Sequence, residues 1–196
     1  MSAPPAAPLL LASRSPQRRA ILEQLGIPFE VVPPQWEELT GDPPMETVRA
    51  NALGKARSVA PGRPGARPVL GVDTEVVLDG RVFGKAENEA EAEAMLEALA
   101  GRTHEVVSGL CLITPGWEVV EHEVTRITFR PLDARDLAAY VSFGEWEGRA
   151  GAYAVQGRGA ALVERIEGDY LNVVGLPVAL LVRLLAERFA GVYGFG

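Results

Sequence analysis

The chain has 196 residues, of which 47% are hydrophobic and 23% charged, and its formal net charge is −7. This composition predicts a globular protein with a buried core. The acidic balance argues against a broad nucleic-acid-binding surface, which requires clustered Lys and Arg, but a small phosphate ligand stays compatible with it because a few cations can act locally. No apolar run reaches the roughly 18 residues that span a bilayer, so we expect neither a nucleic-acid nor a membrane partner.

Composition predicts how the chain is divided and where the protein is found. Residues 1–8 are mainly small residues and prolines without a basic region, and we interpret them as a flexible tail rather than a signal peptide. The remainder, residues 9–190, has the length of one domain. The only cysteine, Cys111, lies in an apolar run that predicts a buried strand. A lone buried cysteine is typical of the reducing cytoplasm, where we expect this protein.

In chain order, the first half of the sequence predicts short strands and helices separated by turns. Residues 9–12 form an apolar run typical of a buried strand, and a polar turn then leads into a helix. Ser15 suits the N-cap of that helix, Pro16 its first turn and Gly26 its end. The further elements are a strand at 29–32, a helix at 45–59, a Gly- and Pro-rich loop at 61–68, a strand at 69–72, and a hairpin that pairs 75–78 with 81–84 around residues 79–80.

The second half predicts longer strands together with further helices. The elements are a helix at 88–99 with an Asn cap, long strands at 105–113 and 118–130 joined by a Pro-Gly turn, a helix at 133–143 capped by Asp133, a strand at 160–166, and a helix at 176–189. Strands that alternate with helices favour the α/β class. The two neighbouring long strands add an antiparallel part, so we expect a mixed sheet.

The segment 13–19 combines a polar turn, a helix start and arginines at positions 14, 18 and 19. Free backbone N–H groups and the helix dipole at such a start favour phosphate, and hydroxyl and guanidinium groups can complete the site. The residues concerned are Ser13, Ser15 and Arg18. An ordinary capped helix with solvated arginines is the alternative, and the segment lacks the GxxxxGK pattern of a P-loop.

Asp73 directly follows an apolar run that we expect to be buried, and Thr74 and Glu75 continue the polar cluster. A buried carboxylate is costly unless it is paired or binds a metal. Because ligands of open α/β sheets gather at the carboxyl ends of strands, Asp73 is a candidate metal ligand, a candidate general base, or both. The alternative is an Asp that caps the next turn.

Four further polar residues are candidates on weaker patterns. Lys55 lies in a predicted helix of mostly small residues, and Lys85 ends a predicted strand. Glu38 lies in the loop after the second strand, and Gln156 lies in the glycine-rich segment 151–157, where the backbone can approach a ligand closely. Each has a simpler interpretation, because charged side chains are usually solvated and a glycine-rich segment can be a plain turn.

Seven short motifs occur along the chain, at residues 11–19, 71–76, 84–85, 101–109, 151–157, 166–169 and 173–177. In this order they resemble the Maf, or septum-formation-inhibitor-like, nucleotide pyrophosphatases, and the resemblance extends from about residue 9 to residue 185. It implies an α/β fold of the Maf and ITPase type, in which a two-lobed, mixed and twisted β-sheet flanked by helices surrounds a deep central cleft. It also implies a homodimer.

The resemblance further implies hydrolysis between the α- and β-phosphates of a nucleoside triphosphate. Asp73 matches the catalytic carboxylate, the proton acceptor, and Glu38 matches a second acidic residue; together they would hold Mg²⁺ or Mn²⁺. Lys55 and Lys85 match active-site lysines, which would offset charge on the leaving pyrophosphate. The phosphate-side turn is matched by Ser13, Ser15 and Arg18.

Gln17, Thr74 and Gln156 occupy the positions that relate to base preference in this family. Thr74 and Gln156 have the pattern of the dTTP and UTP branch, whereas the branch linked to 7-methyl-GTP tends to have Gln and Glu there. Uracil and thymine present an acceptor, a donor and an acceptor, which suit an amide, while guanine suits a carboxylate. Gln17 stands where the family usually has Arg, and it lacks the charge and the fork of that residue. Residues 145–149 also depart from the usual pattern, although Arg149 keeps a positive charge.

Two other functions are compatible with the same residues. A phosphatase would release only orthophosphate from the nucleotide, and a regulatory nucleotide-binding protein affecting cell division would bind without cleaving. A binding module does not require catalytic carboxylates, so the presence of both acidic residues and both lysines favours an enzyme. Modified pyrimidine nucleotides are also compatible as substrates, and their removal would be a house-cleaning role.

Overall fold

The structure is a computed structural model that describes residues 7–41, 43–60 and 67–195. Most of the predicted tail at 1–8 and most of the predicted loop at 61–68 lie outside the described residues. Within the three ranges, no helix combines the length and the apolar character that crossing a membrane requires.

A mixed sheet of seven strands lies at the centre of the described residues. Its strands are β1 (Leu9–Ala12), β2 (Phe29–Val31), β3 (Val69–Leu78), β4 (Arg81–Phe83), β5 (Thr103–Thr114), β6 (Trp117–Phe129) and β7 (Val163–Glu167). The order across the sheet is β2-β1-β3-β5-β6-β7, and β4 also pairs with β3. β1 runs parallel to β2 and β3, and the other pairs are antiparallel, which confirms the predicted mixed α/β fold.

The helices that flank the sheet largely follow the predicted pattern. They are α1 (Pro16–Gln24), α2 (Pro44–Val59), α3 (Glu89–Leu99), α4 (Ala134–Val141), α5 (Tyr170–Val174) and α6 (Val178–Phe189). The predicted caps are confirmed, because Ser15, Asn88 and Asp133 each accept a backbone N–H at a helix start. The strand predicted at 160–166 is wrong at its beginning, since Arg158–Leu162 forms a 3-10 turn before β7. Helix α5 was not predicted, because so short a segment shows no helical period.

Helix α2 lies directly on one face of the sheet because small residues meet at the contact. A Cβ atom at Gly71 of β3 would lie 2.2 Å from the carbonyl oxygen of Ala52. One at Gly109 of β5 would lie 2.2 Å from the carbonyl oxygen of Val48. Backbones can approach this closely only where a side chain is absent. The contact therefore brings the polar residues of α2 against the middle of β3.

The opposite face of the sheet carries two apolar clusters separated by a polar pair. One cluster joins Val72 of β3 to α1 and α6, and the other joins Val76 to α3 and α4. Between them, Thr74 of β3 and Ser108 of β5 are paired across the strands, and their hydroxyl oxygens are 2.8 Å apart. The apolar core is therefore interrupted at the middle of β3.

One edge of β3 is interrupted at the same place. β1 pairs with β3 as far as Gly71 and β4 pairs with it from Val76, so residues 72–75 have no strand on that edge among the described residues. β5 pairs with the other edge without a break. The prediction that the strand ends before Asp73 is therefore wrong. Asp73 lies within a longer strand because pairing with β5 keeps the polar residues extended.

Candidate active site

A cavity of about 620 Å³ opens at this gap beside β3. It is bordered by the turn after β1, the loop after β2, helix α2, the residues after β4, and parts of segment 148–156. All ten residues predicted as site residues line it, namely Ser13, Ser15, Gln17, Arg18, Glu38, Lys55, Asp73, Thr74, Lys85 and Gln156. The fold thus gathers side chains from distant parts of the sequence, while their individual roles stay predictions.

The carboxylate of Asp73 is buried and paired on the α2 side of the cavity. Asp73 is 7% exposed, and its Oδ1 accepts a 2.6 Å hydrogen bond from Nζ of Lys55, which is 5% exposed. The same ammonium group lies 2.6 Å from Oε1 of Glu38, whose side chain is about half exposed. Lys55 therefore joins the two predicted acidic residues, and its charge offsets the cost of burying a carboxylate.

Asn51 also belongs to this site, although it is not among the residues predicted from the sequence. Its buried Nδ2 donates to Oδ2 of Asp73 at 2.9 Å and to the carbonyl of Leu39 at 3.0 Å. Its Oδ1 accepts from the indole N–H of Trp36 at 3.1 Å and from the backbone N–H of Leu39 at 2.8 Å. The amide thereby fastens the loop that carries the second carboxylate to helix α2.

Helical spacing is the signal that could have found Asn51. Asn51 and Lys55 are four residues apart on α2, so both project from one face of the helix. Asn is a poor helix former and is uncommon in helix interiors unless its side chain has a specific partner. A polar pair at this spacing, in a helix of small residues, therefore indicates a buried polar site.

Arg18 is buried on the other side of the gap and bonds to three protein acceptors. Its Nε donates to the carbonyl of Gly175 at 2.8 Å. Nη1 donates to Oγ of Ser13 at 3.1 Å, and Nη2 donates to Oγ1 of Thr74 at 3.2 Å. Burial lowers the pKa of Arg18, and the nearby carboxylates act in the opposite direction. The group stays charged, since arginine does not deprotonate in proteins, and it cross-links the turn after β1 to β3.

The start of α1 orients the remaining residues of this turn. Oγ of Ser15 accepts from the backbone N–H of Arg18 at 3.4 Å and donates to Oε1 of Gln17 at 3.0 Å. Of the arginines at this helix start, Arg14 and Arg18 line the cavity, whereas Arg19 does not and instead lies near a glutamate on the surface of α1. The predicted phosphate turn therefore faces the cavity with two of its three cations.

Positive charge dominates the cavity even though the whole chain is acidic. Among the described residues, five cations line it against two carboxylates. Two of the cations, Arg18 and Lys55, already bond to the protein. The other three cations, Arg14, Lys85 and Arg149, have no side-chain hydrogen bond or ion pair to any described residue. Such a local surplus of positive charge attracts a polyanionic ligand.

Gln156 lies in an exposed turn, and side chains from outside the turn bond to the backbone around it. The hydroxyl of Tyr140 accepts the N–H of Ala154 at 3.0 Å. The carboxylate of Glu145 accepts two backbone N–H groups just after Gln156, at 3.0 and 3.2 Å. The amide of Gln156 itself has no hydrogen bond to the described residues and faces the cavity. Tyr140 and Glu145 were not predicted, because only the fold decides which N–H groups they reach.

Tyr153 lines the cavity beside this turn and is held by His104. Nε2 of His104 and the hydroxyl of Tyr153 are 2.9 Å apart, and both residues are buried. Each ring also meets Phe129 edge-on, with ring centroids 4.9 Å apart. Burial lowers the pKa of His104 to about 4 and raises that of Tyr153. Both side chains are therefore neutral near pH 7 and form an uncharged support for this wall.

The two predicted metal ligands, Asp73 and Glu38, both contact the ammonium group of Lys55. In the part of the chain that the structure describes, no three His, Cys, Asp or Glu side chains group in a way that could hold a metal ion. Mg²⁺ is usually bound by one or two carboxylates together with substrate phosphates and water. The donors present therefore fit a cation that is shared with a phosphate ligand.

Similar proteins are found along nearly the whole chain. The sequence pattern of the family described as Maf-like protein matches residues 8–188. A dTTP/UTP pyrophosphatase of Symbiobacterium thermophilum is 49% identical over 181 residues, which cover 91% of this chain and 93% of that protein. Proteins of the same name from Nitratidesulfovibrio vulgaris and Moorella thermoacetica are 49% and 48% identical, over 93% and 95% of this chain and 89% and 97% of theirs. The chain therefore belongs to the Maf-like protein family.

Proposed function

We propose that this chain is a nucleoside triphosphate pyrophosphatase that cleaves dTTP and UTP between the α- and β-phosphates, giving the monophosphate and pyrophosphate. The observation that carries the proposal is the buried Asp73–Lys55 pair, which the more exposed Glu38 joins, in a cavity where cations outnumber carboxylates among the described residues. The names of similar proteins point to the same reaction, since the three relatives above are called dTTP/UTP pyrophosphatases.

Asp73 accepts a proton from the water that attacks the α-phosphorus. Its carboxylate is held in place by Lys55 and Asn51, one on each oxygen, so it is oriented before the substrate arrives. The water oxygen bonds to the α-phosphorus while the bond to the oxygen bridging the β-phosphate breaks. Pyrophosphate leaves with that electron pair, and Lys55 stabilises the negative charge that develops beside it.

Glu38 and Asp73 would hold Mg²⁺ or Mn²⁺ together with oxygens of the phosphate chain. A cation held by these residues would offset part of the roughly four negative charges of the triphosphate and would polarise its phosphorus–oxygen bonds. Lys85 faces the same cavity, and no described residue pairs with its ammonium group. It is therefore available to the leaving pyrophosphate.

Base preference comes from Gln156, whose amide can donate to and accept from the edge of uracil or thymine. Thr74 acts indirectly, because its hydroxyl bonds to Ser108 and to the guanidinium of Arg18. We assign Thr74 to the position of Arg18 rather than to contact with the base. Gln17 lines the cavity while bonded to Ser15, so its effect on preference runs through the turn after β1.

A panel of nucleotides tests the proposal. The purified chain is incubated with dTTP, UTP, CTP, ATP, GTP and 7-methyl-GTP in the presence of Mg²⁺, Mn²⁺ or EDTA, and the products are resolved by ion exchange. Pyrophosphate with dTMP or UMP, formed only with a divalent cation, is the expected result. Orthophosphate with the diphosphate would indicate a phosphatase, and binding without cleavage would indicate a regulatory protein.

We further propose that the protein is a cytoplasmic homodimer in which residues 9–190 form one domain of two lobes. Two apolar clusters on one face of the sheet support the division into lobes. Light scattering after size-exclusion chromatography measures the mass, and a value near the monomer's 21.0 kDa would contradict the dimer. A single cooperative unfolding transition is expected for one domain.

A further inference from the structure

We propose that Arg149 is a substrate-binding residue that holds the β- and γ-phosphates of the nucleotide together with Lys85. This inference rests on the proposed function and adds to its site a residue to which the sequence assigned no role. It is carried by the position of Arg149 on the cavity wall, by its unsatisfied guanidinium group, and by the way the other cations are already engaged.

Backbone pairing brings Arg149 and Lys85 to the same wall of the cavity. Lys85 forms an antiparallel bridge with Ala150. The N–H of Gly151 donates to the carbonyls of the two residues before Lys85, each at 3.0 Å. Two cations far apart in sequence are thereby fixed on adjacent segments, where like charges repel. An anion bound between them would relieve that repulsion.

The guanidinium group of Arg149 has no hydrogen bond or ion pair to the described residues. Its Nε is buried without a hydrogen-bond partner, and no described carboxylate forms an ion pair with it. Arg18, in contrast, has an acceptor for each of its three nitrogens. Because Arg149 lines the cavity and has no partner among the described residues, its charge is available to an anionic ligand there, whereas that of Arg18 is already engaged.

Arg149 is assigned to the distal phosphates because other cations of the cavity already bond to the protein. The α-phosphorus must lie beside Asp73, which receives the proton from water. Lys55 bonds to that carboxylate, and Arg18 bonds to the neighbouring Thr74, so both already have protein acceptors. The β- and γ-phosphates carry most of the substrate's charge and are left to the cations without partners. A planar guanidinium can bind two oxygens of one phosphate at once, which a lysine cannot.

Calorimetric binding to the full chain, in Mg²⁺, tests the assignment with two probes. One is α,β-imido-UTP, a triphosphate that is not cleaved at this position, and the other is UMP, which lacks the distal phosphates. Arg149→Gln is expected to weaken binding of α,β-imido-UTP by roughly ten- to a hundred-fold. Binding of UMP should stay close to that of the wild type. Arg135→Gln removes the same charge from the exposed surface of α4, and both probes should bind it as they bind the wild type.

Equal losses for UMP and for α,β-imido-UTP would overturn the assignment to the distal phosphates, and so would an unchanged affinity for the triphosphate. Arg149→Lys keeps the charge without the fork and replaces Arg149→Gln should that variant not fold. A selective loss for the triphosphate in Arg149→Lys supports the proposal, and no loss refutes it. Because binding is measured without turnover, a wild-type chain that binds the probe but does not cleave dTTP would refute the proposed function alone.

Discussion

The two walls of the cavity hold their polar groups in different ways. On the α2 wall, Glu38, Lys55 and Asp73 line the cavity and Asn51 supports them, and these side chains bond to one another and to the loop after β2. On the loop wall, formed by Arg149, Tyr153 and Gln156, it is chiefly the backbone that is fixed, by Tyr140 and Glu145. The ends of Arg149 and Gln156 meanwhile lack partners among the described residues.

This difference matches two different chemical tasks. A group that moves a proton must be oriented before the reaction, since reorientation would add to the barrier. A group that recognises phosphate or a base must keep its donors for the ligand, and only its backbone need be rigid. We therefore expect changes on the α2 wall to lower kcat, and changes on the loop wall to alter binding, base preference or stability.

The largest effect is expected from Asp73→Asn on the α2 wall. The amide cannot accept the proton from water, so turnover of dTTP should fall by roughly 10²- to 10⁴-fold, with little change in binding. Steady-state kcat and the affinity for α,β-imido-UTP measure the two effects separately. Asp79→Asn changes an exposed Asp of the β3–β4 hairpin and serves as the control. Full activity of a folded Asp73→Asn protein would refute the mechanism.

The support of the loop wall predicts a loss of stability in acid. The pKa of His104 is about 4 in the folded protein, below its ordinary value of 6.5, because burial disfavours the charged ring. The unfolded chain therefore binds more protons between these values. The neutral ring of His104 therefore contributes fully to the free energy of unfolding above pH 6.5. This contribution, of up to about 3 kcal/mol, is lost as the pH falls towards 4.

Urea unfolding between pH 4.5 and 7 measures this dependence. His104→Gln should show a flatter profile of unfolding free energy over that range, because the titrating ring is gone. His122→Gln, which changes an exposed histidine of β6, is the matched control. The same slope in His104→Gln as in the wild type would show that another group is responsible.

Asn51→Leu should weaken the link between α2 and the loop that carries Glu38. The change leaves one oxygen of Asp73 and the polar groups of Trp36 and Leu39 without their partner. A loss of about 1–3 kcal/mol in unfolding free energy is expected, together with a lower kcat. Gln35→Leu removes an exposed amide from the same loop and should change neither quantity. Unaltered kcat in Asn51→Leu would show that the α2 wall does not depend on this amide.

The smallest effect is expected from Gln156→Glu on the loop wall. The carboxylate can accept but cannot donate, so one hydrogen bond to uracil or thymine is lost. We expect kcat/KM for dTTP and UTP to fall by roughly ten-fold, while kcat at saturation changes less. The ratio of kcat/KM for UTP to that for GTP is the measurement. An unchanged ratio would contradict a base-reading role for Gln156.

Much of the fold could be predicted because its signals are local. The helix start at Ser15 and Pro16 depends on neighbouring residues alone, as does the hairpin turn at Asp79 and Gly80, where both φ angles are positive. The end of the strand at residue 72 was mispredicted for a long-range reason. Pairing with β5 extends the strand through its polar residues, and the pairing partners lie far along the chain, as for Asp73 and Gly109.

Residues of the candidate site, like elements of the fold, could be predicted from the sequence only where their signal is local. Asp73 stands out because it interrupts an apolar run, which is a local signal. Asn51 and Glu145 do not stand out, because their importance depends on which donors and acceptors the fold brings near them. The family resemblance supplied Glu38, Lys85 and Gln156, whose individual sequence patterns are those of ordinary surface residues.

By itself, the sequence determined the alternation of strands and helices, the helix caps and the presence of a polar interruption at Asp73, because all of these depend on residues close together in the chain. Only the tertiary structure decided that β3 continues through that interruption with one edge unpaired. It also decided which cations bond to the protein and which do not. The physical reason is that hydrogen bonds and ion pairs act over a few ångströms in space, whatever the separation of their partners along the chain.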